Sequence, residues 1–172
     1  RNYKNVVDGL LKVCDETKKV MGLVAASAGN HAQGVSLSAK KLGLPVIIVM
    51  PKTTPQIKIN AVRALGAKVQ LHGNTYDEAS VLAKTIAVNE KFDLIPPYDD
   101  EYIIAGQGTV GMEILRQYKG NIDFIFLPVG GGGLIAGVAA YVKQINPEIK
   151  IIGVEPEEAP SMTAALSAKK PV

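Results

Sequence analysis

The stretch Phe124-Ile-Phe-Leu-Pro-Val-Gly-Gly-Gly-Gly-Leu-Ile-Ala-Gly-Val-Ala-Ala-Tyr-Val142 joins a strand-like run to a helix-like run through four consecutive glycines, Gly130 to Gly133. Backbone N–H groups at the start of a helix can converge on an anion, and without Cβ atoms the chain can approach that anion closely. A tight turn between a strand and a helix rarely needs four glycines. The stretch therefore predicts a binding site for a phosphate-bearing cofactor.

Composition limits the class of protein. The chain has 172 residues, 47% of them apolar, as in a globular enzyme. The net charge of +3 is spread along the sequence, which gives no sign of a nucleic-acid or membrane partner. The single cysteine, Cys14, cannot form an intramolecular disulfide and belongs to no metal-binding pattern. The uncharged run 124–142 is long enough for a membrane span, but Pro128 and the glycines argue against one.

The chain alternates between short β-branched runs and helix-length segments, which is typical of an α/β fold with parallel sheets covered by helices. The predicted strands are Leu23 to Ala26, Val46 to Met50, Lys68 to Leu71, Phe92 to Ile95, Phe124 to Val129 and Lys150 to Val154. The predicted helices are His31 to Leu42, Pro55 to Leu65, Tyr76 to Glu90, Gly108 to Gln117 and Leu134 to Ile145. Thr54 is predicted as an N-cap before Pro55, and Thr75 to Glu78 fits a capping box.

A second loop, Ser27-Ala-Gly-Asn-His31, also follows a strand and opens a helix. In parallel sheets, ligands bind beyond the carboxyl ends of the strands. The Ser27 hydroxyl and the backbone donors can hold a carboxylate, and the Asn30 amide can bond a hydroxyl or phenolate oxygen. His31 is either an acid or base, or a capping or packing group. Two anion-binding helix starts suggest a ligand with two anionic ends, such as a phosphorylated cofactor joined to an amino acid.

Two segments match a dinucleotide-binding pattern. Gly106 to Gly111 spells GxGxxG but follows only a weak predicted strand, 101–105, so the structural context is missing. Gly131 to Ala136 reads GxGxxA after a strand, and Glu155 follows 19 positions later, where an acid would hold a ribose. An NAD-binding dehydrogenase is therefore an alternative function, with Glu155 as a simple surface acid being the plainer interpretation.

The segment Val24-Ala-Ala-Ser-Ala-Gly-Asn-His-Ala-Gln-Gly-Val35 strongly resembles the asparagine loop of fold-type-II pyridoxal-phosphate enzymes, in particular the threonine deaminases. The rest of that family's signature is matched in order by Ile48-Val-Met-Pro51, Thr54-Pro-Gln-Ile-Lys58, Ile95-Pro-Pro-Tyr-Asp99, Ala105-Gly-Gln-Gly-Thr109 and Pro128 to Gly137. The resemblance implies a two-lobed architecture like that of the tryptophan synthase β chain, here incomplete. It places residues 1–30 and 123–172 in the large cofactor domain and residues 31–122 in the small domain.

The resemblance also implies roles for individual residues. It assigns the cofactor phosphate to Gly130, Gly131, Gly132, Gly133 and Leu134, and the pyridine 3′-oxygen to Asn30. It assigns the substrate carboxylate to Ser27, Ala28, Gly29 and His31. Gln107 lies in a loop that the family places near the substrate, without a chemical step. Serine racemases carry a divalent metal for which Glu155 fits one ligand, but Ser161 stands where an acid is expected, so no metal is predicted.

The catalytic lysine of the family, which forms the Schiff base and takes the Cα proton, has two possible placements. Asn2-Tyr3-Lys4 can replace the family's Ser-Phe-Lys, which makes Lys4 the Schiff-base residue. Alternatively, Arg1 is the arginine two positions after that lysine, and the lysine lies upstream of the chain. The second placement is favoured because Gly9-Leu10 also falls into step with the family. The chain is then expected to be an internal fragment that lacks part of the large domain and any regulatory domain.

The implied activity is pyridoxal-phosphate-dependent dehydration and deamination of L-threonine, or of L-serine, to a 2-oxo acid and ammonia, as in isoleucine biosynthesis. A racemase acting on serine, the NAD-binding dehydrogenase and an inactive binding fragment remain alternatives. The expected partner is a small amino-acid substrate, with a homo-oligomer as the full-length state. No targeting segment opens the chain, so a soluble intracellular protein, cytoplasmic or organellar, is expected.

Overall fold

A computed structural model of the chain describes residues 20–170, which divide into two compact units between Pro97 and Tyr98. The strands are β1 (Leu23–Ala26), β2 (Val46–Met50), β3 (Lys68–Leu71), β4 (Asp93–Leu94), β5 (Phe124–Pro128) and β6 (Lys150–Val154). The helices are α1 (Asn30–Leu42), α2 (Gln56–Ala64), α3 (Tyr76–Glu90), α4 (Glu101–Gln117), α5 (Gly133–Ile145) and α6 (Ser161–Ala168). The predicted α/β class is confirmed.

The first unit is built on a four-stranded parallel sheet with the order β3-β2-β1-β4. The central strand β1 is buried along its whole length, with Leu23 opposite Val46 on one side and Asp93 on the other. Helices α1 and α3 both pack against β1 and β2. Because β1 is covered in this way, its side chains are all apolar rather than alternating with polar residues.

The second unit has a two-stranded parallel sheet, with Phe124 of β5 opposite Lys150 of β6. Its core contains Ile125 and Leu127 of β5, together with Val138 and Val142 of α5. The alternate residues of β5 point the other way, and Phe126 is 66% exposed. Helices α4 and α5 pack tightly against each other. The strand β5 and the helix α5 therefore fix both ends of the four-glycine stretch.

The predicted strand over residues 101–105 is wrong, because these residues form the first turns of α4. The Asp100 carboxylate accepts hydrogen bonds of 3.0 Å from the backbone N–H groups of Tyr102 and Ile103. This is the pattern of an N-cap, which satisfies donors that the helix itself leaves unpaired. The β-branched Ile103 and Ile104 favour a strand locally, but the cap at Asp100 and the packing of α4 on α5 decide for a helix.

The two predicted N-caps have opposite outcomes. At α3 the capping box is confirmed, since the Glu78 N–H donates to the Thr75 hydroxyl over 3.3 Å and the Glu78 carboxylate accepts from the Thr75 N–H over 3.0 Å. At α2 the N-cap is Pro55 rather than Thr54, and no side chain caps the helix. The Thr54 hydroxyl is instead buried, with no hydrogen-bond partner in the part of the chain that the structure describes.

The GxGxxG segment has a structural explanation in the contact between α4 and α5. A Cβ atom on Gly108 would lie 3.0 Å from the carbonyl oxygen of Gly137. A Cβ atom on Gly137 would lie 2.7 Å from the backbone nitrogen of Gly108 and would collide with the carbonyl oxygen of Ile104. These glycines let the two helix backbones approach each other. The segment is therefore a helix-packing motif, as its missing dinucleotide context indicated.

The division between Pro97 and Tyr98 differs from the predicted lobes 1–30, 31–122 and 123–172, which remain a prediction for a whole enzyme. Strand β1 pairs with β2 and β4 and so belongs to the sheet of the first unit. Helix α4 packs against α5, which assigns it to the second unit. None of the helices within residues 20–170 is both long and apolar enough to cross a membrane.

Candidate active site

The glycine turn, residues Gly130 to Gly133, lies at the carboxyl end of β5 and leads into α5. The N-cap of α5 is Gly132, with φ +85°, and no side chain in the part of the chain that the structure describes caps this helix. The first hydrogen bond of the helix runs from the Ala136 N–H to the Gly132 carbonyl oxygen, over 2.9 Å. The N–H groups of Gly133, Leu134 and Ile135 precede that bond, so they are the donors that a helix start offers to an anion.

The space around the turn differs from one glycine to the next. A Cβ atom on Gly131 would collide with the ring of Tyr98, and one on Gly133 would lie 2.9 Å from the Tyr98 carbonyl oxygen. A Cβ atom on Gly132 would lie 2.8 Å from the Cε atom of Met162. A Cβ atom on Gly130 would meet no atom of residues 20–170 within 4 Å. The turn is thus lined by protein at three positions and open at Gly130, a cradle that fits a phosphate group.

The asparagine loop, residues Ser27 to His31, lies at the carboxyl end of β1 and leads into α1. Ser27 is buried, and its Oγ accepts a hydrogen bond of 3.2 Å from the Gly29 N–H. Because Oγ acts as the acceptor in that bond, its own hydrogen remains able to donate to a carboxylate. Gly29 is the N-cap of α1, no side chain among residues 20–170 caps this helix, and Asn30 is exposed. The loop therefore offers a hydroxyl, an amide and uncapped backbone donors.

His31 is fixed by a bond to another segment of its own unit. Its Nε2 lies 3.2 Å from the carbonyl oxygen of Ile95, just after β4. A carbonyl oxygen only accepts, so Nε2 carries the hydrogen and Nδ1 is the acceptor nitrogen of the neutral ring. Burial lowers the pKa of His31 below its ordinary value of 6.5, and the hydrogen bond to Ile95 opposes this effect. His31 is therefore held as a neutral imidazole that ties the asparagine loop to the segment after β4.

Within residues 20–170, a side-chain cap is absent at these two helix starts and at α2, whose N-cap is a proline, whereas the other helices have one. Helix α3 is capped by Thr75 and helix α4 by Asp100. Helix α6 is capped from a distance by the Glu155 carboxylate. At α1 and α5, by contrast, the donors are not taken up by a cap. Donors without a cap are the ones available to a ligand.

Glu155 does not stand free at the end of β6. Its Oε1 accepts a hydrogen bond of 2.7 Å from the Met162 N–H, and its Oε2 accepts bonds of 2.8 Å from the N–H and hydroxyl of Thr163. The Ser161 hydroxyl lies 3.5 Å from Oε1. This carboxylate is committed to the start of α6, so the structure lends no support to Glu155 as the ribose-binding acid of a dinucleotide site.

The other predicted site residues lie in helices or outside the described residues. Leu134 is the second residue of α5 and is partly buried, and Gln107 lies within α4 rather than in a loop. Lys4 and Arg1, on which the two placements of the catalytic lysine depend, lie outside the described residues. Sequence reasoning misses Tyr98 and Met162 as neighbours of the glycine turn. Tyr98 belongs to a family motif, but no spacing rule relates position 98 to position 131.

Residues 5–172 match the model of the family described as PALP, pyridoxal-phosphate dependent enzyme. The chain therefore belongs to this family, and the resemblance predicted from the asparagine loop and the glycine turn is confirmed. Pyridoxal phosphate is the cofactor that the family description names.

Among curated relatives, the chain is similar to the biosynthetic chloroplastic threonine dehydratase of Arabidopsis thaliana, with 61% identity over 145 residues. That alignment covers 84% of this chain and 24% of the relative. Among solved structures, the processed form of threonine deaminase isoform 2 from Solanum lycopersicum matches with a TM-score of 0.87 at 50% identity, covering 99% of this chain and 49% of that one. Maize serine racemase matches with a TM-score of 0.88 at 34% identity, over 99% of this chain and 52% of that one.

The chain spans about a quarter of the length of the curated plant relative and about half of the solved plant deaminase. The fold-type-II architecture and the family are thereby shown for the residues present. The activity of the whole enzyme and its substrate are matters of proposal.

Proposed function

We propose that this chain forms part of a pyridoxal-phosphate-dependent enzyme that converts L-threonine to 2-oxobutanoate and ammonia. The observation that carries the proposal is the pair of uncapped helix starts, at the asparagine loop and at the glycine turn, in a chain 61% identical to a threonine dehydratase. In the overall reaction, the water lost in the elimination is balanced by the water consumed in hydrolysis, so that the net products are 2-oxobutanoate and ammonia.

In the proposed site, the glycine turn binds the cofactor phosphate. Gly130 to Leu134 supply backbone N–H groups, and the open space at Gly130 admits the phosphate oxygens. The dipole of α5 favours the negative charge at this end of the helix. When bound, pyridoxal phosphate supplies an electron sink for removal of the substrate Cα proton.

The asparagine loop has the complementary roles. The Asn30 amide donates to the 3′-oxygen of the cofactor, and the Ser27 hydroxyl with the backbone N–H of Ala28 binds the substrate carboxylate. Gly29 lines this carboxylate site, and its N–H donates to Ser27 Oγ, which orients that hydroxyl. His31 keeps the loop in place through its bond to the Ile95 carbonyl oxygen. The proton at the substrate Cα is taken by a lysine, either Lys4 or a residue that precedes Arg1 in the parent enzyme.

Threonine is preferred to serine as substrate, and deamination to racemisation, because the two plant deaminase relatives are more similar to this chain than maize serine racemase is. The rest of the proposal is a soluble intracellular enzyme, cytoplasmic or organellar, that acts on a free amino acid and works as a homo-oligomer.

The activity is tested on the enzyme in which this chain occurs. We expect 2-oxobutanoate to be released from L-threonine, and less pyruvate from L-serine, with both lost on removal of the cofactor and restored by pyridoxal phosphate. Formation of D-serine without 2-oxobutanoate would show that the enzyme is a racemase and not a deaminase. If neither 2-oxobutanoate nor D-serine were formed, the alternative of an inactive binding fragment would be supported.

The placement of the lysine is tested on the 172-residue chain itself. Borohydride reduction in the presence of pyridoxal phosphate, followed by peptide mass spectrometry, shows which lysine is labelled. A single dominant label at Lys4 would give the chain its own catalytic lysine. We expect no dominant label, with reversible binding that a Gly131→Asp change abolishes.

A further inference from the structure

Tyr98 is the side chain that the structure places against the glycine turn and that neither the sequence nor the proposed function assigns a role. The ring occupies the position that a Cβ atom on Gly131 would take. The Tyr98 backbone lies beside Gly133, with its carbonyl oxygen 2.9 Å and its Cα 3.1 Å from the place of a Cβ atom there. One residue thus contacts two of the four glycines, on opposite sides of the N-cap Gly132.

The position of Tyr98 is fixed by the helix that follows it. Asp100 caps α4 by accepting from the N–H groups of Tyr102 and Ile103. Helix α4 packs against α5 at the close approach of Gly108 and Gly137, and α5 begins at the glycine turn. The turn and the residue that contacts it are therefore attached to the same helix pair, so the contact does not depend on a loop alone.

The feature that restricts the residue to glycine differs among the four positions of the turn. Gly132 has φ +85°, which other residues rarely adopt, whereas the φ of Gly131 and of Gly133 lies outside that region. Gly131 is restricted by a side chain, the Tyr98 ring, and Gly133 by the Tyr98 backbone. At Gly130 neither the backbone conformation nor any neighbour in residues 20–170 requires a glycine.

We propose that Tyr98 is a positioning residue for the glycine turn: its ring packs on Gly131 and holds the N–H groups at the start of α5 in the arrangement that binds a phosphate. This inference rests on the proposed function of the turn as the phosphate site. A four-glycine turn has many accessible conformations, and ordering it on binding costs free energy. A ring that orders the turn beforehand removes part of that cost, which increases affinity for the phosphate.

The first experiment measures binding to the 172-residue chain by equilibrium dialysis, with pyridoxal phosphate as the ligand and pyridoxal, which lacks the phosphate, as the reference. We expect Tyr98→Ala to weaken pyridoxal phosphate binding by about tenfold and to leave pyridoxal binding unchanged. Tyr98→Phe keeps the ring and should bind like the wild type. Tyr118→Ala removes another exposed tyrosine of the same unit and serves as the control.

The second experiment combines substitutions at the two contacts. Gly131→Ala should weaken pyridoxal phosphate binding in the wild-type background but have little further effect in the Tyr98→Ala background, since the ring that opposes the new methyl group is then gone. Gly133→Ala should be equally harmful in both backgrounds, because its methyl group meets the Tyr98 backbone, which alanine retains. Thermal unfolding without ligand should show the same coupling for Gly131 and its absence for Gly133.

The outcomes separate the two proposals. A wild-type chain that bound pyridoxal phosphate no better than pyridoxal would overturn the phosphate site and the role of Tyr98 with it, while the unfolding measurements would still report the contact. A preserved preference for the phosphate with additive effects at Tyr98 and Gly131 would overturn the role of Tyr98 alone. That role is also overturned if Tyr98→Ala binds as tightly as the wild type or more tightly, or if Tyr98→Phe loses as much affinity as Tyr98→Ala.

Discussion

The carboxylate of Glu155 accepts a hydrogen bond of 2.7 Å from the backbone N–H of Met162, seven residues further along the chain. Met162 is the second residue of α6, a helix whose own N-cap, Pro160, has no side-chain hydrogen bond to offer. The Cε atom of the same methionine lies 2.8 Å from the place of a Cβ atom on Gly132. Glu155 thus fixes the start of a helix that contributes one wall of the glycine turn.

Glu155→Gln should make the stability of the chain less dependent on pH. The hydrogen bond from Met162 is the main reason why the pKa of Glu155 lies below its ordinary value of 4.5, and the bonds from Thr163 add to it. A carboxyl group whose pKa is lower in the folded chain than in the unfolded chain stabilises the fold at pH values above its unfolded pKa. This stabilisation is lost as the pH falls through the folded pKa. We therefore expect Glu155→Gln to lower the Tm at neutral pH and to lower it progressively less as the pH falls below 4.5.

The control for this prediction is Glu158→Gln, which removes a charge from an exposed glutamate in the same segment. Thermal unfolding of both variants between about pH 3 and 7 makes the comparison. An equal loss of Tm at both ends of that range in Glu155→Gln would mean that the charge of Glu155 does not stabilise α6.

His31 should make the first unit sensitive to mild acid. Burial lowers the pKa of His31 from 6.5, so the unfolded chain binds this proton more readily than the folded chain. The contribution of neutral His31 to the free energy of unfolding is therefore complete above pH 6.5, and it decreases as the pH falls through the pKa of the folded chain. His31→Phe should lose the bond to Ile95 but also remove this decrease, as measured by urea unfolding across that range.

The second histidine of the chain provides the control. His72 is exposed, and His72→Gln should leave the decrease of the unfolding free energy below pH 6.5 unchanged. If His72→Gln abolished the decrease and His31→Phe did not, the pH dependence would have been assigned to the wrong residue.

The same substitution, glycine to alanine, should have opposite effects in two helices. Gly34 of α1 has no atom of the described residues within 4 Å of its Cβ position, so Gly34→Ala should stabilise the chain by about 0.5–1 kcal/mol through backbone entropy. At Gly137 of α5 the new methyl group would meet the backbone of Ile104 and Gly108, and we expect a loss of about 1–3 kcal/mol. Chemical denaturation measures both, and a stabilised Gly137→Ala variant would disprove the close approach of α4 and α5.

Gly130→Ala should separate binding from folding. The Cβ position of Gly130 is open and its φ lies outside the left-handed region, so the variant should have the wild-type Tm or a slightly higher one. Its affinity for pyridoxal phosphate should nevertheless fall by about tenfold, because the methyl group occupies space that the phosphate needs. An unaltered affinity in equilibrium dialysis would show that the phosphate does not bind next to Gly130.

Much of the fold could be predicted from local pattern. Strands β1, β2, β3 and β6 and helix α3 have the predicted bounds, because each combines a clear apolar period with turn or capping residues at its ends. The failures have a different cause. At the start of α4, Ile103 and Ile104 favour a strand although the chain is helical, and α6 escapes prediction because its cap is a glutamate that precedes it by several residues.

Part of the candidate site could likewise be predicted from local pattern, and part could not. The two loops after β1 and β5 can be recognised from their residues alone, since glycines, small polar side chains and the strand-to-helix position carry the chemistry of anion binding wherever the chain folds. The roles of Asn30 and of Gly130 to Leu134 remain predictions. The contribution of Tyr98 could not be predicted, because positions 98 and 131 are brought together by the packing of α4 on α5.

The α/β class, the family and the two loops can thus be predicted from the amino-acid sequence, because these depend on contacts and conformations within a few residues. The folded structure was needed to show that His31 bonds the Ile95 carbonyl oxygen, that Glu155 caps α6 and that Tyr98 packs on Gly131. Each of these relationships joins separate segments whose spacing along the chain follows no local periodicity. They arise from the way helices and strands pack, and packing is a property of the whole unit.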